Sequence, residues 1–430
     1  MRSRSTFFFR CVAALIGIVC GALSPAFAKT TTLHVGRLLA DPITGRVTTN
    51  QTIVVIDGVI ASVGDGFQDG PDIVDLRNSF VMPGMIDSHV HITFEIGPSS
   101  ELNFFKKTSS DISFDGAVFA RRTLEAGFTT VVDVGADEQA VFALRDAIAT
   151  GKVPGPRIVA AGVVGAHGGH ADVNGMPPTL LNLFLSPGMC SGADDCRRAV
   201  RQAIQRGADI IKTASTGGVM SDTAAGLDQQ MTDAELVAIV ETAHALGRKV
   251  ACHAHGAAGV NAALRAGVDS IEHGTFLDSD SIALMRQKAT YLVPTLLAGD
   301  TVMRQAETAE WMPAAVKAKA RTVGPEMIAA LSRAYRQGVN IAFGTDSAIS
   351  KHGDNAREFA LMAKAGMSPI DSIRAATVGG AHHIGMERQI GMIIAGKQAD
   401  IIAMSGDPLK DVSVLGRVTF VMKTGEIFKR

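Results

Sequence analysis

Two histidines, one residue apart, close an apolar run in the first quarter of the chain. The segment "VMPGMIDSHVH" runs from Val81 to His91 and places Asp87, His89 and His91 at its end. Side chains alternate along a strand, so His89 and His91 point to the same side and are able to bind one ion together. Imidazole nitrogens and carboxylate oxygens are ligands for zinc and similar divalent ions. The spacing therefore predicts a metal site at the end of a buried strand.

Further polar residues close other apolar runs. Lys212 ends "GADIIK", His253 and His255 end "ACHAH", His273 follows "SIE", and Asp346 follows "IAFGT". A lysine there could instead pair with a carboxylate, and Asp346 could cap the next helix. His253 and His255 point the same way from a strand, so their spacing leaves open which one binds metal. As a set, these residues predict hydrolysis in which bound ions lower the pKa of a water and Asp346 transfers its proton.

The order of apolar runs predicts how these residues meet. Short predicted β segments fill the first part of the chain, and the same pattern of short β segments returns at its C-terminal end. Between them, eight apolar runs alternate with helix-period segments, which is typical of β/α units and a parallel sheet. One such helix segment begins with Thr232 and Glu235 in capping-box spacing. Eight units close a (β/α)8 barrel, whose active site lies at the C-terminal ends of the strands.

The predicted fold class is therefore α/β. It is a (β/α)8 TIM-like barrel with a small β-sandwich domain built from the N- and C-terminal segments. The predicted boundaries are residues 29–82 and 388–430 for the composite β-sandwich domain and residues 83–387 for the barrel.

The composition excludes some classes of partner. The chain has 430 residues, of which 47% are hydrophobic and 19% charged, and its net charge is -1. This balance is typical of a globular protein and argues against a nucleic-acid partner. A small-molecule substrate is expected.

The first 28 residues have the pattern of a secretory signal peptide. Arginines in "MRSRSTFFFR" precede a short apolar run, and Ala26 and Ala28 form an A-x-A cleavage pattern. We therefore expect a signal peptide at 1–28, a secreted or periplasmic protein, and no stable membrane insertion after cleavage. An uncleaved membrane anchor is the alternative.

The cysteines are compatible with that compartment. Cys190 and Cys196 lie in the short polar segment "CSGADDC", and in an oxidising compartment they could pair. The sequence leaves this pairing open. Cys252 has apolar neighbours and is predicted to be a buried thiol.

The ordered motifs resemble the metal set of the amidohydrolase superfamily. They are "DSHVH" at Asp87–His91, "GADIIK" with Lys212, "HAHG" with His253, "IEHGT" with His273 and "GTDS" with Asp346. The chain is most similar to the imidazolonepropionase-related, prolidase-like branch, which includes ochratoxin-hydrolysing amidohydrolases. Other matching stretches are "LEAGFTTVVDVG", "GPRIVAAG" and "GMIIAGKQADIIAM", so the resemblance covers nearly the whole chain from about Thr31.

The resemblance implies a centre of two divalent metal ions, with zinc as the expected metal. Lys212, carboxylated on its amine, would bridge the ions, and Asp346 would also carry the proton. In this superfamily the metal ligand on the fifth barrel strand is the first residue of a His-Ala pair. The resemblance therefore assigns His253 rather than His255. The implied ligands are His89, His91 and Asp346 for one ion and His253 and His273 for the other. The resemblance also implies a homo-oligomer, because relatives are often octamers.

Four further histidines are candidate substrate-binding residues. His170 in "AHGGHAD" occupies the histidine of the family's "GGHGD" loop, where it would bind a carboxylate or carbonyl of the substrate. His255 would reach the same pocket from strand 5. His352 in "HGDNA" follows strand 8, and His167 lies close to His170. The alternative for His352 and His167 is an ordinary surface position in a loop.

The predicted function is hydrolysis of the amide bond of N-acyl amino acids or dipeptides with an apolar or aromatic C-terminal residue. Ochratoxin A, split into ochratoxin alpha and phenylalanine, is a candidate substrate of this carboxypeptidase-like type. The alternatives are an Xaa-Pro dipeptidase, and a cyclic-amide hydrolase or deaminase on the same scaffold. Lys212 argues against the last of these, because members with one metal usually lack the bridging carboxylate.

Overall fold

The structure is a computed structural model that describes residues 28–173, 176–181, 184, 186–221 and 226–430. The predicted signal peptide at 1–28 lies outside the described residues, except for Ala28. Among the helices of the described ranges, none has the length and apolar character needed to span a membrane.

The described chain contains the following strands, numbered in chain order. They are β1 (Thr30–Asp41), β2 (Arg46–Ile56), β3 (Val59–Asp65), β4 (Ile73–Pro83), β5 (Met85–Val90), β6 (Phe128–Asp133), β7 (Arg157–Val163), β8 (Gly165–Ala166), β9 (Met189–Cys190), β10 (Ile210–Ala214), β11 (Val250–Ala254), β12 (Ser270–His273), β13 (Tyr291–Val293), β14 (Asn340–Ile341), β15 (Ile401–Met404), β16 (Phe420–Lys423) and β17 (Glu426–Lys429).

The helices of the described chain lie mostly between the strands of the barrel. They are α1 (Ser100–Lys106), α2 (Ser109–Glu125), α3 (Glu138–Ala149), α4 (Pro178–Leu181), α5 (Ala193–Arg206), α6 (Asp233–Ala245), α7 (Ala257–Ala266), α8 (Ser279–Lys288), α9 (Leu296–Thr308), α10 (Ala314–Arg336), α11 (Arg357–Lys364), α12 (Pro369–Arg374) and α13 (Gly380–His383), with a π-helical turn at Ala375–Gly379 and a 3-10 turn at Val412–Gly416.

The eight apolar runs of the sequence form one curved parallel sheet. Its strand order is β14-β13-β12-β11-β10-β7-β6-β5, so each predicted barrel strand is present and neighbours follow each other along the chain. The strands are almost wholly buried because helices cover their outer side, which explains why they are nearly continuous apolar runs.

The barrel closes between its first and last strands. Beyond the short strand β14 the chain continues alongside β5, with an isolated parallel bridge between Val90 and Ser347. Backbone hydrogen bonds connect the two segments: from Ser88 N to Phe343 O at 2.7 Å, from Thr345 N and Asp346 N to His89 O at 3.3 Å and 2.7 Å, and from His91 N to Ser347 O at 2.8 Å. Residues more than two hundred positions apart in the sequence therefore form one edge of the site.

The two ends of the chain share a second sheet. Its strand order is β17-β16-β15-β4-β1-β2-β3, and β4 pairs antiparallel with β15. Leu33, Val35, Ile53, Ile401 and Met422 belong to the separate apolar core on this sheet. The predicted fold class, a TIM-like barrel with an additional β structure from both termini, is confirmed. The exact domain boundaries stay a prediction.

Local helix signals in the sequence are present in the structure. The Thr232 side chain accepts a hydrogen bond from Glu235 N, and the Glu235 carboxylate accepts one from Thr232 N, so the predicted capping box begins α6. Gly207 and Gly267 end α5 and α7 in the left-handed region, which a residue without Cβ adopts readily.

The structure answers the question that the sequence left open for two cysteines. Cys190 and Cys196 form a disulfide that connects β9 to the first turn of α5, and both residues are almost completely buried. Strand β9 pairs with β8, and His167 N donates to Cys190 O at 3.3 Å. The disulfide therefore supports the base of the loop that carries His170. Cys252 is a buried free thiol, as predicted.

Removing this disulfide should destabilise the protein. Because the bond closes a short loop, with a sequence separation of 6, the Cys190→Ser/Cys196→Ser variant should lose roughly 2 kcal/mol of unfolding free energy. Urea denaturation followed by circular dichroism measures the change. As a control, a reducing agent should lower the stability of the wild type and leave the double variant unaffected. Equal stability of the wild type and the double variant would contradict a stabilising role of the disulfide.

Candidate active site and metal centre

The strand ends bring the predicted metal residues together at one mouth of the barrel. They form two groups, and within each group the possible ligand atoms all lie within 4.8 Å of one another. The first group is His89, His91 and Asp346, and the second is His253, His255 and His273. Both groups, together with Lys212, line the same cavity. The predicted convergence of these side chains is therefore present.

Two of the histidines have ring tautomers that their neighbours determine. The Nδ1 of His89 lies 2.6 Å from the carboxylate Oε2 of Glu272, and the Nδ1 of His91 lies 2.5 Å from the carbonyl oxygen of Gly135. Both partners only accept hydrogen bonds, so each Nδ1 carries the proton. In the neutral rings Nε2 has the free lone pair; it lies 3.6 Å (His89) and 3.2 Å (His91) from Asp346 Oδ1.

The histidines of the second group are also held from behind. His255 Nδ1 lies 2.7 Å from the hydroxyl of Thr275, and His273 Nδ1 lies 2.7 Å from the hydroxyl of Thr295. These contacts orient the rings while leaving Nε2 toward the cavity. Partners of this kind commonly fix the orientation of histidine ligands in metal sites.

His253 uses the opposite ring nitrogen. Its Nε2 lies 3.2 Å from the carbonyl oxygen of Gly217, so Nε2 carries the proton and Nδ1 has the free lone pair. The His253 ring centroid is 4.6 Å from that of His273, and the His255 centroid is 5.0 Å from it. Both His253 and His255 are thus within reach of an ion beside His273, and the assignment of His253 as the ligand stays a prediction.

Lys212 is a buried amine without a partner. Its side chain is 7% exposed, and its Nζ has no hydrogen-bond partner among the described residues. Burial lowers the pKa of Lys212, and the carboxylates of Glu272 and Asp346 offset only part of that effect. An unpartnered buried amine is costly, so this position fits a lysine that has an additional group or ion beside it.

Burial keeps three of the proposed ligand imidazoles neutral, whereas at His91 the effect of burial is outweighed by contact with Asp346, which raises the pKa of His91. Burial lowers the pKa of His89, His253 and His273 well below the usual range. Metal ligands must be deprotonated, and a neutral imidazole meets that requirement. Burial alone would raise the pKa of Asp346, but the nearby His89, His91 and Lys212 lower it overall, so its carboxylate stays charged. This set of donors fits divalent metal ions.

Two of the site residues have left-handed backbone conformations. His273 has φ 71° and Asp346 has φ 55°. Such conformations are uncommon for residues with a Cβ and cluster at functional sites. At His273 the turn changes the alternation of the strand, so that Glu272 and His273 both contact the histidine cluster although they are adjacent in sequence.

Asp87, which precedes the two histidines, holds the end of the last barrel strand. Its carboxylate accepts hydrogen bonds from Thr345 Oγ1 at 2.6 Å, Thr345 N at 3.1 Å, Asn355 Nδ2 at 2.7 Å and His89 N at 3.2 Å. Burial raises the pKa of Asp87 to about 7, against the effect of these donors. Asp87 therefore positions Asp346 through its neighbour Thr345.

His170 reaches the cavity, as its place in the loop predicts. Its ring stacks on that of His253 with centroids 3.9 Å apart, and its backbone N donates to Gln230 Oε1 at 3.0 Å. Burial lowers the pKa of His170 to about 4, and that of His255 to about 3. Both are neutral imidazoles that can donate one hydrogen bond and accept another. Their role toward a substrate stays a prediction.

The structure places the other two predicted substrate residues away from the cavity lining. His352 is buried, donates from Nε2 to Phe94 O at 3.0 Å, and stacks on Phe119 with ring centroids 4.9 Å apart. Phe94 and Phe119 line the cavity, so His352 lies one layer behind its wall. The side chain of His167 is 48% exposed, with Nδ1 at 3.6 Å from Asp172. Direct substrate contact by either residue stays a prediction.

The cavity above these residues is large and mostly apolar. Its volume is about 1100 Å³. An aromatic wall comes from the chain after β5, from α1 and α2, and from Phe184. An aliphatic wall comes largely from α9 and α10. The aromatic wall contains Phe94, Phe104, Phe119 and Phe184, and the aliphatic wall contains Val302, Val323 and Met327. Such a shape suits a ligand with apolar groups on both sides of a polar centre.

Sequence reasoning missed the residues that hold the site residues from behind. They are Glu272, Thr275, Thr295 and Thr345. Glu272 and Thr345 each lie next to a predicted ligand in the sequence, which was the available signal. Their partners are distant in sequence, so the contacts depend on the folded barrel.

Comparisons with known proteins agree with this geometry. Residues 80–428 match the Amidohydrolase family. Ochratoxinase from Aspergillus niger is 30% identical over 433 aligned residues, which cover 94% of this chain and 87% of that protein. Its crystal structure has a TM-score of 0.81 at 28% identity, over 94% of this chain and 96% of that chain.

A solved Xaa-Pro dipeptidase, with methionine bound in its active site, is also similar. It is 39% identical with a TM-score of 0.89, and the match covers 94% of this chain and all of that chain. The family match spans the whole barrel, including each predicted metal ligand, and the C-terminal strands β15, β16 and most of β17 of the terminal sheet. The chain therefore belongs to the amidohydrolase family and is a metal-dependent hydrolase of amide bonds.

Proposed function

We propose that the protein hydrolyses the amide bond between an acyl group and a C-terminal amino acid whose side chain is apolar or aromatic. Ochratoxin A, in which an isocoumarin is joined to phenylalanine, is a substrate of this kind. The observation that carries the proposal is the cavity of about 1100 Å³, whose lining combines the candidate histidine and aspartate ligands with aromatic and aliphatic walls.

The walls support large apolar groups on either side of the amide. Carboxylates of the cavity wall have partners within the protein: Asp115 forms an ion pair with Lys107, Asp137 accepts from Ala140 N at 2.8 Å, and Glu95 accepts from His352 N at 3.0 Å. A basic side chain of a substrate would therefore compete with these contacts. The similarity to an ochratoxinase supports an aromatic substrate, since that name describes hydrolysis of ochratoxin.

The proposed centre holds two divalent ions, with zinc as the expected metal. The ligands are His89, His91 and Asp346 for one ion, His253 and His273 for the other, and carboxylated Lys212 as the bridge. The unpartnered Nζ of Lys212 supports the bridging role. Its lowered pKa favours the neutral amine, which is the form that reacts with carbon dioxide.

Residues of the chain would transfer the proton and bind the substrate. When bound, the ions would supply Lewis-acid chemistry by polarising the amide carbonyl and lowering the pKa of a water. Asp346, whose carboxylate stays charged, would accept the proton of that water and return it to the departing amine. His170 and His255 would bind the substrate carboxylate or carbonyl from the cavity wall.

A second candidate is an Xaa-Pro dipeptidase. The supporting observation is the similarity to a solved enzyme of that name, at 39% identity and a TM-score of 0.89. Proline is also an apolar C-terminal residue, so this function differs from the first in the leaving group and not in the mechanism. A cyclic-amide hydrolase or deaminase is a third alternative, and the buried Lys212 weighs against it.

We also propose that the protein is exported to the periplasm or secreted. The disulfide between Cys190 and Cys196 supports this, because such bonds persist in oxidising compartments. A homo-oligomer is expected as well. Phe114 is 75% exposed and Val118 is 51% exposed on α2, and a subunit contact would bury such apolar side chains.

Replacing the proposed bridging lysine should remove the metal pair. Lys212→Ala deletes the amine that would carry the carboxylate, so the purified variant should fold but lose its bound ions, as measured by elemental analysis. Lys107→Ala, which changes another lysine of the same cavity, is the matched control and should keep its metal. Normal metal content together with activity in the Lys212 variant would exclude the bridging role.

Removing the proposed proton acceptor should reduce turnover more than folding. Asp346→Asn keeps the size and one oxygen of the side chain, so circular dichroism should be unchanged while kcat falls by roughly 10²–10⁴-fold. Asp115→Asn, a cavity carboxylate paired with Lys107, serves as the control and should stay within a small factor of the wild type. Full activity of Asp346→Asn would require another general base.

A substrate panel separates the candidate functions. The mature protein, loaded with zinc, is incubated with N-acyl phenylalanines, Xaa-Phe and Xaa-Pro dipeptides, ochratoxin A and cyclic amides, and the products are identified by mass spectrometry. Release of phenylalanine from ochratoxin A and N-acyl-Phe is the expected result. Release of proline alone would favour the dipeptidase. Opening of cyclic amides with linear amides untouched would contradict both.

A further inference from the structure

Glu272 is a buried carboxylate next to the site that the proposed mechanism does not use. It lies on the inner side of β12 and is completely buried. Its Oε2 accepts a hydrogen bond from His89 Nδ1 at 2.6 Å, and its Oε1 accepts one from Ser270 Oγ at 2.6 Å. Placing a charged carboxylate in a barrel interior costs several kcal/mol unless good partners offset it. Its position therefore calls for a specific explanation.

The contact with His89 determines which ring nitrogen faces the cavity. Glu272 accepts but does not donate while it is charged, so His89 holds its proton on Nδ1 and directs the Nε2 lone pair toward Asp346. Without this partner, the ring would be free to take the other tautomer or to rotate. His89 can bind an ion through Nε2 only when its proton is on Nδ1 and the ring keeps its present orientation.

His89 differs from the other cluster histidines in the charge of its partner. Among the described residues, its Nδ1 is the one in this cluster that bonds a carboxylate; the Nδ1 of His91 bonds a carbonyl, and those of His255 and His273 bond hydroxyls. A charged acceptor behind an imidazole raises its basicity and strengthens it as a ligand.

The charges around Glu272 support the same role. Burial raises the pKa of Glu272, and Lys212 on β10 and His383 on α13 offset part of that effect. Divalent ions held by His89 and Lys212 would add positive charge near this carboxylate, and that charge would favour its ionised form.

We propose that Glu272 is a positioning residue of the metal centre, which holds His89 in the tautomer and orientation that a metal ligand requires. This inference rests on the proposed binuclear centre and adds to it a residue that touches no ion or substrate. A purely structural Glu272 would stabilise the barrel and leave the metal affinity unchanged, which is a different and measurable outcome.

The decisive experiment compares metal binding by the wild type and Glu272→Gln. Each metal-free protein is titrated with Co²⁺ in competition with a chromophoric chelator, and the absorption bands of bound Co²⁺ are recorded. The variant should bind the ion held by His89 roughly 10–100-fold more weakly and change its absorption bands, while the ion held by His253 and His273 keeps its affinity.

Two control variants test the specificity of this effect. Glu358→Gln changes another completely buried carboxylate, which accepts from Leu296 N at 2.9 Å and Leu297 N at 2.6 Å, and should keep wild-type affinity for both ions. Ser270→Ala removes the other donor to Glu272 and should also keep both ions. Equal losses in all three variants would assign the effect to general destabilisation and overturn the proposal.

The remaining outcomes separate this inference from the proposed function. Wild-type affinity for both ions in Glu272→Gln overturns the positioning role alone. A wild type that binds no ion overturns the metal centre and the inference together. If the Gln variant does not fold, ¹⁵N-histidine NMR of the wild type decides: a proton on His89 Nδ1 supports the proposal, and a proton on Nε2 overturns it.

Discussion

Backbone hydrogen bonds between the first and the last strand of the barrel hold the two halves of the site together. They connect β5 to the chain after β14, and so bring His89 and His91 beside Asp346. Asp87 strengthens this closure, because its buried carboxylate accepts from both the side chain and the backbone of Thr345. If this connection were lost, one ligand group would be divided, and the other strand ends would have no common mouth to line.

The closed barrel also sets the electrostatics of the site. Burial removes water from His89, His253 and His273 and lowers their pKa values, so these imidazoles are neutral donors rather than cations. Two residues at the strand ends, His273 and Asp346, hold left-handed conformations that cost about 1–3 kcal/mol each, which the surrounding hydrogen bonds must offset. The polar residues behind the site, such as Glu272 and Thr295, provide such bonds.

The cavity combines this polar base with apolar walls. The base can position an amide bond, while the aromatic and aliphatic walls can bind groups on both of its sides. The loop with His170 belongs to the same surface and rests on the short pair β8–β9, which the disulfide at Cys190 secures to α5. Substrate choice in the proposed function thus depends on elements outside the barrel strands, whereas the metal chemistry depends on the strands themselves.

Much of the protein was predictable because its signals are local. Apolar runs alternating with amphipathic segments determined the eight barrel strands, the capping-box pair Thr232 and Glu235 marked a helix start, and polar residues at strand ends identified the candidate ligands. Parallel strands place their C-terminal ends at one mouth, so the convergence of His89, Lys212 and Asp346 followed from the fold class.

Tertiary structure decided the contacts between residues far apart in sequence. The His89–Glu272 pair joins positions on β5 and β12, and the position of His352 behind Phe94 depends on how one loop packs on another. Hydrogen-bond partners across a barrel leave no periodic pattern in the chain, because each depends on the register and curvature of the sheet. The sequence by itself therefore determined which groups could do the chemistry, and the closed barrel decided how each group is oriented.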